Sequence, residues 1–148
     1  MTHDNEAIVR RAYELAEGGV LDGEGFAALF ADDGVFRDMV NGETYRGAAL
    51  GEVVVKMGKL LPDVHRELHK VTVMGDVVAI ELSIRGTFLG EFETPAGVVK
   101  PTGATVDVPT ADFWYLRDGK IQEFNCYPGV SVLLAQLGVA PDFAVAVA

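Results

Sequence analysis

The sequence predicts an α+β fold, one cone-shaped, curved antiparallel sheet covered by three N-terminal helices. Three observations carry that prediction. Apolar residues recur at helical spacing through the first sixty or so positions. After Pro62 the period changes to two. Asp118-Gly119 then sits between two long alternating arms, the favoured pair for a tight hairpin turn. Helices first and long strands afterwards is the order of an α+β domain.

Each element can be justified in turn. Asp4 suits a helix N-cap and Glu6 a first turn. Val9, Ala12, Tyr13, Ala16 and Val20 form one helical stripe that stops near Gly18-Gly19, with Tyr13 pointing inward. Asp22 caps a second short helix with Phe26, Leu29 and Phe30 inward, ending at Asp32-Asp33-Gly34. A short strand, Val35–Asp38, leads to a polar loop at Asn41-Gly42-Glu43. From Ala48 to Leu61 a third helix carries the stripe Leu50, Val53, Val54, Met57, Leu60 and Leu61, and Pro62 stops it. Val64–Met74 and Val77–Phe88 read as strands joined at Gly75-Asp76. Gly86, Gly90 and Gly97 suggest bends in a curved sheet, and Pro95–Gly103 reads as a polar crossover. The central hairpin pairs Val106–Leu116 with Ile121–Tyr127 and returns the chain to an amphipathic segment, Val130–Leu137.

At 148 residues the chain fits a single domain, 1–148, large enough to bury about two-thirds of its unfolded surface. Hydrophobic content of 49% and charged content of 23% describe an ordinary globular protein. A formal net charge of -10 argues against nucleic acid and anionic membranes as partners, because both need clustered Lys and Arg. A single cysteine, Cys126, fits a reducing, cytoplasmic compartment. The N-terminus has no basic flank or apolar core of a signal peptide, and no apolar run reaches spanning length.

The concave side of a curved sheet is the default place for a ligand. If Asp112 points inward, period two sets Thr110, Trp114 and Leu116 beside it, with Phe124 and Cys126 from the paired arm. Helix stripes add Val9, Ala16, Phe30 and Met57 to the lining. The opposite reading of Asp112 is a solvated residue or a cross-strand ion pair. Tyr13 has a core reading, and Asp38 a loop-capping one. His65 and His69 lie four apart on a strand, about 13 Å from each other, too far for one metal. No metal site and no cofactor fingerprint is expected, and His3 falls in a terminus expected to fray.

Several motifs, in the same order, resemble the SnoaL-like polyketide cyclase group of the nuclear transport factor 2-like superfamily. They are Leu29-Phe30-Ala31-Asp32-Asp33 followed by Asp38, then Pro101-Thr102-Gly103, then Arg117-Asp118-Gly119-Lys120-Ile121. Leu133-Leu134-Ala135-Gln136-Leu137-Gly138 closes the series. The resemblance runs from Ala7 to Gly138. It implies the cone fold, a small apolar ligand and a homodimer through the outer face of the sheet, where Phe113 and Tyr115 stand. The cyclases of that group continue from Gly-Lys-Ile into Glu-His-Trp and place a catalytic Asp four residues before the Leu-Leu pair. Here Glu123-Phe124-Asn125 and Gly129 occupy those positions. Ketosteroid isomerases of the same superfamily use a Tyr on the first helix, an Asp after the second and another Asp before the last hairpin turn. Tyr13, Asp38 and Asp112 occupy comparable places. The resemblance therefore implies general acid/base chemistry of isomerase, cyclase or dehydratase type. Asp112 would be kept protonated by burial beside Tyr13, and Asp38 would act as base. The same apolar cavity would equally serve a non-catalytic carrier, or persist as a vestige in a structural dimer.

Overall fold

Helix α1, Asn5–Ala16, starts where the sequence places it, because the Asp4 carboxylate accepts the Ala7 N–H at 3.0 Å. It buries Val9, Ala12, Tyr13, Leu15 and Ala16. The computed structural model describes residues 4–94, 96–139, 144 and 147, so His3 and Pro95 lie outside the described residues. The helix ends two residues earlier than the stripe suggests. Glu17 is already extended, and the Gly18 N–H bonds the carbonyl of Val64 at 2.6 Å. That bond draws the chain off the helix axis, leaving Val20 55% exposed instead of inward. Helix α2, Gly23–Ala28, is capped by Asp22, which accepts from Gly25 at 2.9 Å. Phe30 then begins strand β1, Phe30–Asp38, so Asp32-Asp33-Gly34 belongs to a strand with a bulge and not to a helix end.

Helix α3, Ala49–Leu60, buries Leu50 and Val54, with Met57 and Leu60 half-buried against the core. It meets α2 backbone to backbone. A Cβ on Gly23 would lie 2.5 Å from the Gly51 carbonyl oxygen, so two glycines permit the crossing. The segment read as a polar loop after β1 contains an edge strand, β2, Glu43–Arg46. The remaining long strands are β3 (His65–Met74), β4 (Val77–Thr87), β7 (Thr105–Arg117) and β8 (Lys120–Pro128). A separate small hairpin, β5 (Phe92–Thr94) with β6 (Gly97–Val99), occupies the stretch read as a crossover.

The six-stranded sheet runs β2-β1-β8-β7-β4-β3. It is antiparallel except that β1 and β8 are parallel. Tight turns join β1 to β2, β3 to β4 and β7 to β8, the connection from β4 to β7 carries β5 and β6, and β1 and β8 are joined only through the rest of the chain. The β7–β8 turn has the geometry the Asp-Gly pair predicts, with φ of +49° at Asp118 and +75° at Gly119. Inward residues of β7 are Val106, Val108, Thr110, Asp112, Trp114 and Leu116, all buried.

Strand β8 stops opposite Thr110, so the lower end of β7 loses its neighbour. Helix α4, Val130–Gln136, repairs that edge with one side chain. Gln136 Oε1 accepts the Asp107 N–H at 2.8 Å, and its Nε2 donates to the Asp107 carbonyl at 2.9 Å. This reciprocal pair imitates one rung of a strand ladder. Gln136→Leu, which keeps the size and removes both bonds, should lower stability by about 1–3 kcal/mol in urea unfolding. An unchanged midpoint would show that the edge is satisfied by water instead.

Candidate active site

Two inward rows cross the sheet side by side. The first is aromatic, with Trp114 of β7, Phe124 of β8, Phe36 of β1 and Tyr45 of β2 in register. Trp114 and Phe124 stack at 3.6 Å and 4°, Phe124 and Phe36 at 4.4 Å, and Phe36 and Tyr45 meet edge-on at 5.4 Å. The second row, two residues along each strand, holds Asp112, Cys126 and Asp38. Period two sets the two-residue step between the rows, and the strand register brings their members side by side.

Helix α1 lowers Tyr13 onto the junction of the rows. Its ring meets Trp114 edge-on at 5.5 Å. The Tyr13 hydroxyl donates to Asp112 Oδ2 at 2.6 Å and accepts from Trp114 Nε1–H at 3.0 Å. A directed chain, indole to phenol to carboxylate, therefore ends on a carboxyl group that is only 3% exposed. The other oxygen, Asp112 Oδ1, is buried with no partner at ordinary hydrogen-bond distance, and the Cys126 thiol is the other group near enough to favour the carboxylate. An orphaned carboxylate oxygen in a core is costly and calls for an explanation.

Burial pushes the Asp112 pKa up to about 6, against the opposing pull of the Tyr13 bond, the neighbouring Cys126 thiol and the charge of Arg66. Burial, followed by the adjacent Asp112 charge, raises Tyr13 well above its ordinary value, and it raises Cys126 in the same way. Both stay protonated while Asp112 titrates. Of these three groups, Asp112 is the one whose charge state changes near neutrality.

Of the residues singled out from sequence, Tyr13 and Asp112 are in direct contact. Asp38 lies in the same row, two strands and about 10 Å of backbone from Asp112. Its carboxylate is turned to the following loop, accepting from the Asn41 N–H at 3.1 Å and the Asn41 side-chain amide at 2.7 Å. Val9, Ala16, Phe30, Thr110, Trp114, Leu116, Phe124 and Cys126 are buried, while Met57 is half-buried. Phe30 also lines an open groove of about 720 Å³ between α2 and the start of α3, and Thr110 one of about 530 Å³ over the outer sheet face. Neither groove touches Tyr13 or Asp112. His65 bridges Glu17 and Glu67 on the surface, and His69 bonds Ser83. Among the described residues no cluster could hold a metal ion.

Arg66 escaped the sequence reading. It sits on β3 opposite Ile84, an inward residue, and reaches the carbonyl of Ala16 at 2.9 Å. The signal was available: if His65 and Glu67 face out, Arg66 between them faces in.

The profile of the SnoaL-like domain matches residues 9–124, most of the chain. The chain belongs to the SnoaL-like family. Its fold is that of the nuclear transport factor 2-like superfamily. Among solved structures it is similar to a protein with ketosteroid isomerase-like fold from Catenulispora acidiphila, crystallised with trimethylamine. Identity there is 26%, coverage 95% of this chain and 96% of the other, and the TM-score 0.74. It is similar to IdmH, a candidate polyketide cyclase from Streptomyces antibioticus, at 26% identity over 93% and 100% of the two chains, with a TM-score of 0.76. AclR, a candidate hydroxylase from Streptomyces galilaeus, shares the fold at 22% identity, 98% and 93% coverage and a TM-score of 0.78. No curated protein matches the chain.

Within this SnoaL-like chain, Gly129 shows why the acid at that position is missing. Its N–H bonds the Pro109 carbonyl at 2.9 Å, and an added Cβ would lie 2.6 Å from that same oxygen. Any larger side chain would push β8 and α4 off β7.

The raised pKa of Asp112 makes a stability prediction with a definite sign. The folded state holds the Asp112 proton up to about pH 6, the unfolded chain only to about 3.9. The stabilisation is complete below the unfolded value and is lost as pH rises through the folded one, roughly 3 kcal/mol in all. Asp112→Asn should remove this slope, so urea stabilities of the two proteins should diverge between pH 4 and 6.5 and run parallel above. Parallel curves throughout would place an ordinary carboxylate at 112.

Proposed function

We propose that the chain is a small-molecule enzyme of general acid/base type in which Asp112 carries the proton. One observation carries this reading: a buried carboxyl group with one oxygen held by Tyr13 and the other unpartnered. Near neutral pH much of it is ionised, and the free Oδ1 is positioned to take a proton from a bound molecule. Tyr13 keeps its bond to Oδ2 throughout, fixing the orientation of the free oxygen. Once protonated, Oδ1 can return the proton at a second carbon or to a departing hydroxyl. Isomerisation, cyclisation and dehydration share that step. The aromatic row suits an apolar ring system, and half-buried Phe36 and Tyr45 are the rings such a ligand meets first. Family membership and the resemblance to IdmH support small-molecule chemistry. In this reading Asp38 orders the loop that closes β1 and is not the base.

Solvent exchange tests the proton transfer without knowledge of the substrate. In D2O the protein should speed deuterium uptake alpha to the carbonyl of cyclic 1,3-diketones or aryl ketones, read by proton NMR, with an acid limb near pH 6. Asp112→Asn should lower the rate by about 10²–10⁴-fold. Tyr13→Phe should move the acid limb upward, since the bond that favours the anion is gone. Exchange by Asp112→Asn at the wild-type rate would end this assignment.

A carrier reading has one observation of its own. The Catenulispora protein was crystallised with trimethylamine, and a buried carboxylate beside aromatic rings suits a small ammonium ion. A carrier would show Trp114 quenching by trimethylammonium and no exchange with any carbonyl compound.

We also infer a homodimer through the outer sheet face in a cytoplasmic setting, the latter from the reduced, buried Cys126. Phe113 and Tyr127 meet edge-on at 5.8 Å on that face, and Tyr115 and Tyr127 are exposed. Light scattering at micromolar concentration should give twice the chain mass, and a monomeric mass would exclude the pairing.

A further inference from the structure

Residues 17–22 join α1 to α2 and lie like a strap against the end of α3 and the start of β3. A Cβ added at Gly18 would meet the Asp63 backbone at 2.6 Å, so the strap is seated closely there. A Cβ added at Gly58 of α3 would meet Leu21 Cδ1 at 2.4 Å, so Leu21 occupies a notch that glycine leaves open. Leu21 reaches that notch with φ of +45°, a left-handed backbone that leucine adopts only at a cost. Such a residue persists where its surroundings hold it down. Among the described residues, the side-chain hydrogen bond that ties the strap to the sheet belongs to His65. Its Nδ1 meets Glu17 Oε1 at 2.9 Å, and its Nε2 meets Glu67 Oε2, also at 2.9 Å.

Two carboxylates on one imidazole fix its charge by geometry alone. A neutral ring has one N–H donor and one lone pair, and a lone pair facing a carboxylate is repelled. Only the imidazolium donates to both. We propose that protonated His65 latches the strap to β3, and that loss of its proton frees Glu17 and loosens residues 17–22. Neutral histidine prefers its proton on Nε2, so the Glu67 bond survives and the Glu17 bond is the one lost. Glu67 and then Glu17 raise the His65 pKa, so the latch is complete below about pH 6.5 and fades as pH passes the folded value. The other charged groups around the ring are engaged elsewhere. Arg85, opposite His65 on β4, pairs with Asp107, and Arg66 turns to the Ala16 carbonyl. Asp63 is held by Thr87, His69 by Ser83, and Glu14 by Arg11. The latch is independent of the chemistry assigned to Asp112.

Two NMR measurements test the latch. Imidazole nitrogen shifts should show His65 protonated on both nitrogens up to a midpoint above its ordinary value, then on Nε2 alone. Amide hydrogen exchange reads the strap, through the Leu21 N–H bonded to the Glu17 carbonyl and the Asp22 N–H bonded to Leu15. Relative to intrinsic exchange, their protection should fall about two- to fivefold across that midpoint, the scale of a half-exposed ion pair. His65→Ala should show the lower protection at every pH. Glu17→Gln should lower the midpoint and hold protection constant, because an amide accepts from the charged ring and donates to the neutral one. The step should persist unchanged in Asp112→Asn, which separates it from the titration of Asp112. A His65 midpoint at its ordinary value, or one that Glu17→Gln leaves in place, overturns the latch. So does strap protection that is independent of pH in the wild type, or a step that disappears with Asp112.

Discussion

The bond between Tyr13 and Asp112 is the interaction on which the inner face depends. A carboxyl group buried between an aromatic stack and a helix has lost its water, and desolvation of that kind is among the larger single costs a fold can carry. The phenol at 2.6 Å replaces part of the lost hydration, and the indole of Trp114 holds the phenol in place. The replacement stops halfway, leaving one oxygen bare. A protein selected for stability alone would hold an apolar residue there, as it does at Val106, Val108, Trp114 and Leu116 of the same inward row. The half-satisfied carboxyl is the observation from which the proposed function starts, and the surrounding structure sustains it.

Much of the fold reads as support for that contact. Tyr13 reaches Asp112 only if α1 lies at the right height over β7, and three polar links hold the end of α1 against the start of β3. Gly18 bonds Val64, Arg66 reaches the Ala16 carbonyl, and His65 bridges Glu17 to Glu67. Those carboxylates hold the His65 proton above its usual range, so this link is strongest while His65 is charged. From the other side, the β7–β8 hairpin fixes the rows. Its turn sets the register that brings Trp114 opposite Phe124 and Asp112 opposite Cys126. Gln136 secures the end of β7 where β8 has left it.

What could be read from the sequence followed from periodicity and turn chemistry. Alternation along β7 put Asp112 on the face of Thr110, Trp114 and Leu116 without deciding that this face is the buried one, and a helical stripe turned Tyr13 inward, but neither pattern contains the distance between them. Where the reading failed, a long-range contact had overruled a local signal. Val20 continued the α1 stripe, yet Gly18 had already been captured by Val64. Asp32-Asp33-Gly34 looked like a helix stop and is a bulge in β1. The parallel pairing of β1 with β8 has no local signature, because no hairpin joins them. Arg66 was hidden by its chemistry: a charged residue on an edge strand is read as solvent-facing unless its neighbours are counted. The Asp38 carboxylate was legible in both its readings, and the geometry shows it bonded to Asn41.

Asp112 is a buried carboxyl group held on one side by Tyr13, with a pKa raised by burial to about 6. Carbon-13 NMR of aspartate carboxyl groups measures this directly, with the Asp112 signal identified by its loss in Asp112→Asn. The titration midpoint should lie near 6 in the wild type and higher in Tyr13→Phe. A midpoint in the ordinary carboxylate range, or one that Tyr13→Phe leaves in place, would contradict it.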